Sequence, residues 1–109
     1  MLKLRAKKSR ELKAGTKGMI AGKVKELIGS LPGWKNEEGT IFKTFSFEDY
    51  YETMAFVNAL AWISHRENHH PDVEVGYNKC VVRYSTHSVG GLSDKDFECA
   101  GKIEGLMEN

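Results

Sequence analysis

From Asp49 to about Glu67 the chain contains neither glycine nor proline, and Pro71 follows shortly after. That run constrains the fold more than any other segment. Acids at Glu48 and Asp49 suit the N-terminal end of a helix dipole. Tyr50, Met54, Val57, Ala61 and Ile63 or Trp62 then give a broad apolar stripe at helical period. Proline pushes the residue before it out of the α region, so His69-His70 sits at the helix C-terminus or in the loop just after it.

The flanking segments read as shorter elements. Ile20, Val24, Leu27, Ile28 and Leu31 recur at three- and four-residue steps and predict a first helix over Ile20–Leu31, stopped by Pro32-Gly33. Trp34–Phe47 reads as a β-hairpin turning at Glu37-Glu38-Gly39-Thr40, with Phe45 and Phe47 on one face. Asp72–Gly76 and Cys80–Thr86 are strand candidates, the second rich in branched and aromatic residues. Ser88-Val89-Gly90-Gly91 reads as a flexible loop. Ser93 is a good N-cap for a last helix over Asp94–Met107. The order α-β-β-α-β-β-α implies an α+β fold: a four-stranded antiparallel sheet with helices packed on one face. Cys80–Thr86 is apolar and is expected at a sheet edge, where two copies could pair.

A length of 109 residues fits one domain. Charge is unevenly spread along it. Residues 1–17 carry seven basic side chains against Glu11 alone, whereas the remainder holds nine basic and fourteen acidic residues. The expected organisation is a basic arm over 1–17 and a single domain over 18–109. The arm lacks interleaved aromatics for base stacking, which argues against nucleic acid as a partner. It is not followed by an apolar segment of the secretory type. No stretch approaches the ~20 apolar residues that span a bilayer, so no membrane partner is expected. Two reduced, packed cysteines and a cytoplasmic location fit that picture.

All four histidines fall at two places: His65, His69 and His70 near the end of the long helix, and His87 after the strongest strand. Imidazole has an unperturbed pKa of about 6.5 and exchanges protons near neutral pH. Three readings of the cluster compete. His65 and His69, one helical turn apart, could share a metal with His87 and Asp96. The spacing is not an HExxH pattern, however, and adjacent His69 and His70 point in different directions. Each histidine alone also fits a structural role, such as a helix C-terminal cation. Acid–base catalysis without a metal is the third reading, with imidazoles on two sides of a pocket whose rim is Gly90-Gly91.

The full spacing of His65, His69-His70-Pro71, Tyr77, His87 and Asp96 resembles the pterin-4a-carbinolamine dehydratase family. Gly33-Trp34, Ile41-Phe42-Lys43, Tyr77-Asn78-Lys79, Ser85-Thr86-His87 and Gly91-Leu92-Ser93-Asp94-Lys95-Asp96 match as well. The resemblance covers residues 20–107. It implies a hydro-lyase that converts 4a-hydroxytetrahydropterin to quinonoid dihydropterin and water, recycling the tetrahydrobiopterin-type cofactor of aromatic amino acid hydroxylases. It implies His69, His70 and His87 as catalytic, with His69 and His87 the acid–base pair. His65 and Asp96 are supporting residues, and Pro71, Ser85 and Thr86 join the three histidines in holding substrate. Position 65 is often an acid in the family, so His65 is a departure. The pterin is substrate, and neither a cofactor nor a metal is implied. The implied assembly is a homodimer or a dimer of dimers, with a hydroxylase as pathway partner. A non-catalytic dimerisation cofactor or assembly chaperone on the same scaffold is the alternative.

Overall fold

A computed structural model describes residues 19–108, so the basic arm over 1–17 lies outside the described residues. The elements are α1 (Ala21–Ile28), β1 (Lys35–Glu37), β2 (Thr40–Ser46), α2 (Tyr50–Glu67), β3 (Asp72–Val75), β4 (Lys79–Tyr84), a 3₁₀ turn (His87–Val89) and α3 (Asp94–Gly105). The expected α+β order is the observed one.

The first hairpin turns on Glu38 and Gly39, both at positive φ (48° and 79°). Such backbone at both central residues is the type I′ turn, whose twist matches that of the flanking strands. The antiparallel sheet runs β1-β2-β4-β3. In its register Ile41 faces Tyr84 and Phe45 faces Cys80. Those side chains point to one face of the sheet, and there they meet Val24 of α1, Phe56 and Leu60 of α2, and Phe97, Ala100 and Ile103 of α3. The opposite face carries Phe42 paired with Arg83 and Thr44 paired with Val81.

Two expectations change. Cys80–Thr86 is not an edge: β4 lies between β2 and β3, and the edges of the sheet are β1 and β3. The buried face of α2 is also rotated from the expected stripe. Thr53, Phe56, Leu60 and Ser64 are buried and Met54, Val57 and Ile63 half-buried, while Tyr50, Ala61 and Trp62 are exposed. Phe56 sets the rotation, because its ring meets Phe45 at 4.7 Å and Phe47 at 5.1 Å between centroids. Aromatic pairs at these separations stabilise beyond the area they bury.

Both ends of α2 are capped. Asp49 accepts a hydrogen bond from the Glu52 amide at 2.9 Å, one of the four amides a helix start leaves unpaired. At the other end Asn68 adopts left-handed backbone (φ 55°), its amide donates to His65 O, and the His69 amide donates back to Ser64 O. This pair of bonds is a Schellman ending. It turns the chain sharply and sends His69 and His70 toward the sheet instead of continuing along the helix.

Cys80 and Cys99 are free thiols and fully buried. Burial pushes the Cys99 thiol from an ordinary 9.0 up to about 12. An acid whose folded-state pKa is raised stabilises the fold fully below its unfolded pKa and loses that contribution as pH climbs toward the folded value. Urea midpoints are therefore expected to hold near neutrality and to fall progressively above about pH 9, less steeply in Cys99→Ala. Thiol reagents at about pH 8 are expected to label the native protein slowly and both cysteines after denaturation.

Candidate active site

The site is assembled where α2 ends, β4 ends and α3 begins. Asp96 is at its centre, in the first turn of α3 and fully buried. The carboxylate reaches back to accept from the Ser93 amide at 3.0 Å. That bond is the carboxylate half of a capping box, and it fixes the start of α3. The same oxygen accepts from the Thr86 hydroxyl at 2.8 Å. Thr86 Oγ1 also lies 2.8 Å from Ser93 Oγ. Since the Thr86 proton is directed at Asp96, Ser93 is the donor in that pair.

The other carboxylate oxygen, Oδ1, lies 2.6 Å from His69 Nε2. An ionised carboxylate only accepts, so Nε2 carries the hydrogen. This assigns the tautomer of the neutral ring: Nε2 is protonated and Nδ1 keeps a lone pair. The imidazole is mostly buried, with 17% of the side chain exposed. One face of it stacks on the Tyr84 ring, with centroids 5.4 Å apart and planes at 19°.

Other contacts hold this corner together. Lys95 donates to Glu67 O at 3.2 Å, and Lys95 and Lys102 lie 3.6 and 3.7 Å from the Glu67 carboxylate. These tie α3 to the last turn of α2, which His69 follows. On the far side Thr86 pairs with Gly91 across a tight turn, the Thr86 amide donating to Gly91 O at 2.7 Å. Gly90 takes left-handed backbone (φ 69°) to close it. The segment read as a flexible loop is thus a hydrogen-bonded turn that presents His87.

His69, His70, Ser85, Thr86 and His87 line one pocket of about 240 Å³ together with Asp72, Arg83 and Ser88. His70 and His87 are exposed there. Asp96 lies behind the pocket and supports His69. His65 and Pro71 do not line that pocket; with His69 and His70, which border both cavities, they line an adjoining groove of about 400 Å³ between α2 and β3. His65 is exposed, its ring centroid 6.1 Å from that of Trp62. The four-ligand set of the metal reading is therefore not assembled, since His65 and His87 line different cavities. Among the described residues no three His, Cys, Asp or Glu side chains gather as a metal would need.

Four residues at this corner were not singled out as site residues from the sequence. Ser93 was read only as a helix cap, and Tyr84 only as part of a strand. Asp72 of the edge strand β3 and Arg83 of the central strand β4, register partners, form part of the pocket wall. The Arg83 guanidinium is held by Glu74 at 2.9 Å. Alternation along β4 puts Arg83 and Tyr84 on opposite faces, but only the tertiary fold shows that both faces meet the histidines.

Among the described residues no helix is long and apolar enough to cross a membrane. Two solved structures share the fold. A transcriptional coactivator/pterin dehydratase from Brucella melitensis superposes with a TM-score of 0.81 at 24% identity, covering 84% of this chain and all of that one. A pterin dehydratase-like protein described as a RuBisCO assembly factor in the alpha-carboxysome superposes at 0.57 and 23% identity, covering 67% of this chain and 84% of its own. Sequence relatives are much nearer. A Nitrosospira multiformis protein named "Putative pterin-4-alpha-carbinolamine dehydratase" is 60% identical over 85 residues, which span 78% of this chain and 75% of the relative. A protein of the same name from Stenotrophomonas maltophilia is also 60% identical over 85 residues, spanning 76% of this chain and 73% of the relative. The family model for pterin 4 alpha carbinolamine dehydratase matches residues 18–106, and with that span covered this chain belongs to the family.

Proposed function

We propose that this protein is a 4a-hydroxytetrahydropterin dehydratase that works by histidine acid–base catalysis, with no metal or cofactor. The observation that carries the reading is the joining of family membership to geometry. The His69–Asp96–Thr86–Ser93 network stands behind a pocket that His70 and His87 also line.

The reaction breaks the C4a–O bond and forms a C4a=N5 double bond. The hydroxyl leaves as water after gaining a proton, and N5 loses one, so protons balance. His69 is assigned the base. Its Nε2–H is committed to Asp96, which leaves the Nδ1 lone pair to accept the N5 proton, and the adjacent carboxylate then stabilises the imidazolium. His87, across the pocket and exposed, is assigned the acid that protonates the leaving hydroxyl. His70 is assigned to hold the pterin, with the Ser85 and Thr86 segment beside it. His65 and Pro71 line the groove that adjoins this pocket and shares His69 and His70 with it, and His65 keeps the supporting role there.

In this reading the product re-enters the cofactor cycle of an aromatic amino acid hydroxylase. The reading also takes the chain as a homo-oligomer. β3 offers the apolar edge, with Val73 and Val75 about two-fifths exposed.

The test is stopped-flow measurement of carbinolamine decay, in which purified protein must exceed the spontaneous rate. Decay at the spontaneous rate with catalytic concentrations of folded protein would reject the assignment.

A further inference from the structure

One aromatic residue at the site has no part in the proton transfers. Tyr84 ends β4 and is fully buried. Its ring lies nearly parallel to the His69 imidazole, 5.4 Å away and tilted by 19°. Ser64 and Cys99 neighbour its hydroxyl, which has no hydrogen-bond partner within bonding distance among the described residues. A buried hydroxyl left unpaired is not what holds this side chain in place. The ring is the part in use.

We propose that Tyr84 is a positioning residue for His69, a flat wall that fixes the plane of the imidazole while Asp96 fixes one of its nitrogens. The inference rests on the dehydratase reading for its kinetic consequence and on the geometry alone for its structural one. A single hydrogen bond at Nε2 pins one atom, and torsion about the outer bond of a histidine is soft. The ring could still rock about that bond and swing Nδ1 off line. A parallel aromatic surface removes the rocking motion, and its electron-rich face also tolerates the positive charge that His69 acquires on taking a proton. Asp96 at the edge and Tyr84 at the face together determine where Nδ1 points. An aliphatic side chain would fill similar space without defining a plane.

The experiment compares three variants of the full chain. Tyr84→Phe keeps the ring and is expected to hold kcat within about two-fold, whereas Tyr84→Leu is expected to lower kcat by about 10-fold or more with KM changed little. Phe45→Leu is the matched control. Phe45 is buried in the same core and packs on Trp34 and Phe56, so it loses a similar aromatic without touching His69, and kcat is expected to hold. Full activity in Tyr84→Leu, or an equal loss in Phe45→Leu, overturns the proposal.

NMR of the histidine rings supplies a readout that needs neither turnover nor a foldable leucine variant. In the wild type and in Tyr84→Phe, His69 is expected to show one Nε2–H tautomer, with ring protons shifted upfield by the stacked ring. Ring protons at unshifted positions overturn the proposal, whatever the kinetics. If the wild type fails to speed carbinolamine decay, the reaction assignment falls, and the His69 resonances still decide whether Tyr84 positions the ring.

Discussion

Replacing His69 or His87 with alanine is expected to lower kcat for carbinolamine dehydration by about 100-fold or more, with stability kept in His87→Ala and reduced in His69→Ala, which leaves buried Asp96 Oδ1 without its partner. The magnitude follows from what general acid–base groups contribute, about 10²- to 10⁴-fold each. The two variants should fail in different ways. Without His69, nothing in the pocket backed by a carboxylate remains to accept the N5 proton. Without His87, the hydroxyl must leave unassisted or take a proton from water. Because both transfers belong to one elimination, the double variant is expected to be little worse than either single one. His70→Ala should separate from both, raising KM more than it lowers kcat, since its assigned role is binding. Folding is a small concern at His87 and His70, which are exposed. Stopped-flow traces with thermal melts on the same samples check all of this. Single variants within two-fold of the wild-type rate would remove the histidines from the mechanism.

The residues that spell out the site were legible as a spacing, and the fold was legible as an order of elements. What the one-dimensional pattern lacked was which surfaces meet. The long helix shows why. Tyr50, Tyr51, Ala61 and Trp62 are exposed yet count as hydrophobic beside buried Phe56 and Leu60, so hydrophobicity spreads around much of α2 and periodicity alone chooses the face poorly. The choice was made by aromatic partners outside the helix, Phe45 in β2 and Phe47 just after it. Strand order failed for a related reason. β4 is apolar because it is central, with β2 on one side and β3 on the other, and an apolar strand is read as easily for an exposed edge as for an interior. In the site, His69, His70 and His87 could be grouped from the sequence, but the cavity each lines could not be read: His65 shares a groove with His69 and His70, and His87 shares a pocket with them. His65 precedes His69 by one helical turn, and the Schellman ending at Asn68 lets His69 and His70 line the pocket with His87 as well as the groove they share with His65. Tyr84 was hidden most completely. In a strand pattern it is one more alternating aromatic, and its relation to His69 exists only once β4 and the end of α2 are side by side.

Asp96 is where fold and chemistry are hardest to separate, and two substitutions should pull them apart. Asp96→Ala removes one acceptor from three donors: the Ser93 amide, the Thr86 hydroxyl and His69 Nε2. The lost helix cap is worth about 1 kcal/mol, and buried donors left without an acceptor cost about 1–3 kcal/mol. A loss of about 3 kcal/mol is expected, which lowers the melting temperature of a domain this size by about 10–20 °C. Inactivity in that variant would say little about mechanism, because the corner carrying His69 is itself weakened. Asp96→Asn is the sharper change. The amide keeps the shape of the carboxylate but has one accepting oxygen and one donating nitrogen. If the oxygen stays with Thr86 and Ser93, the amide N–H faces His69 Nε2, which must then accept. The neutral ring changes tautomer, its proton moves to Nδ1, and the lone pair meant for N5 is lost. If the amide flips, Thr86 and the Ser93 amide lose their acceptor and α3 its cap. The first arrangement costs less, so Asp96→Asn is expected to melt within a few degrees of the wild type while kcat falls by about 100-fold or more. Ring NMR of His69 should show the proton on Nδ1. A wild-type kcat in Asp96→Asn, or an unchanged His69 tautomer with activity lost, would mean that Asp96 acts through the fold alone.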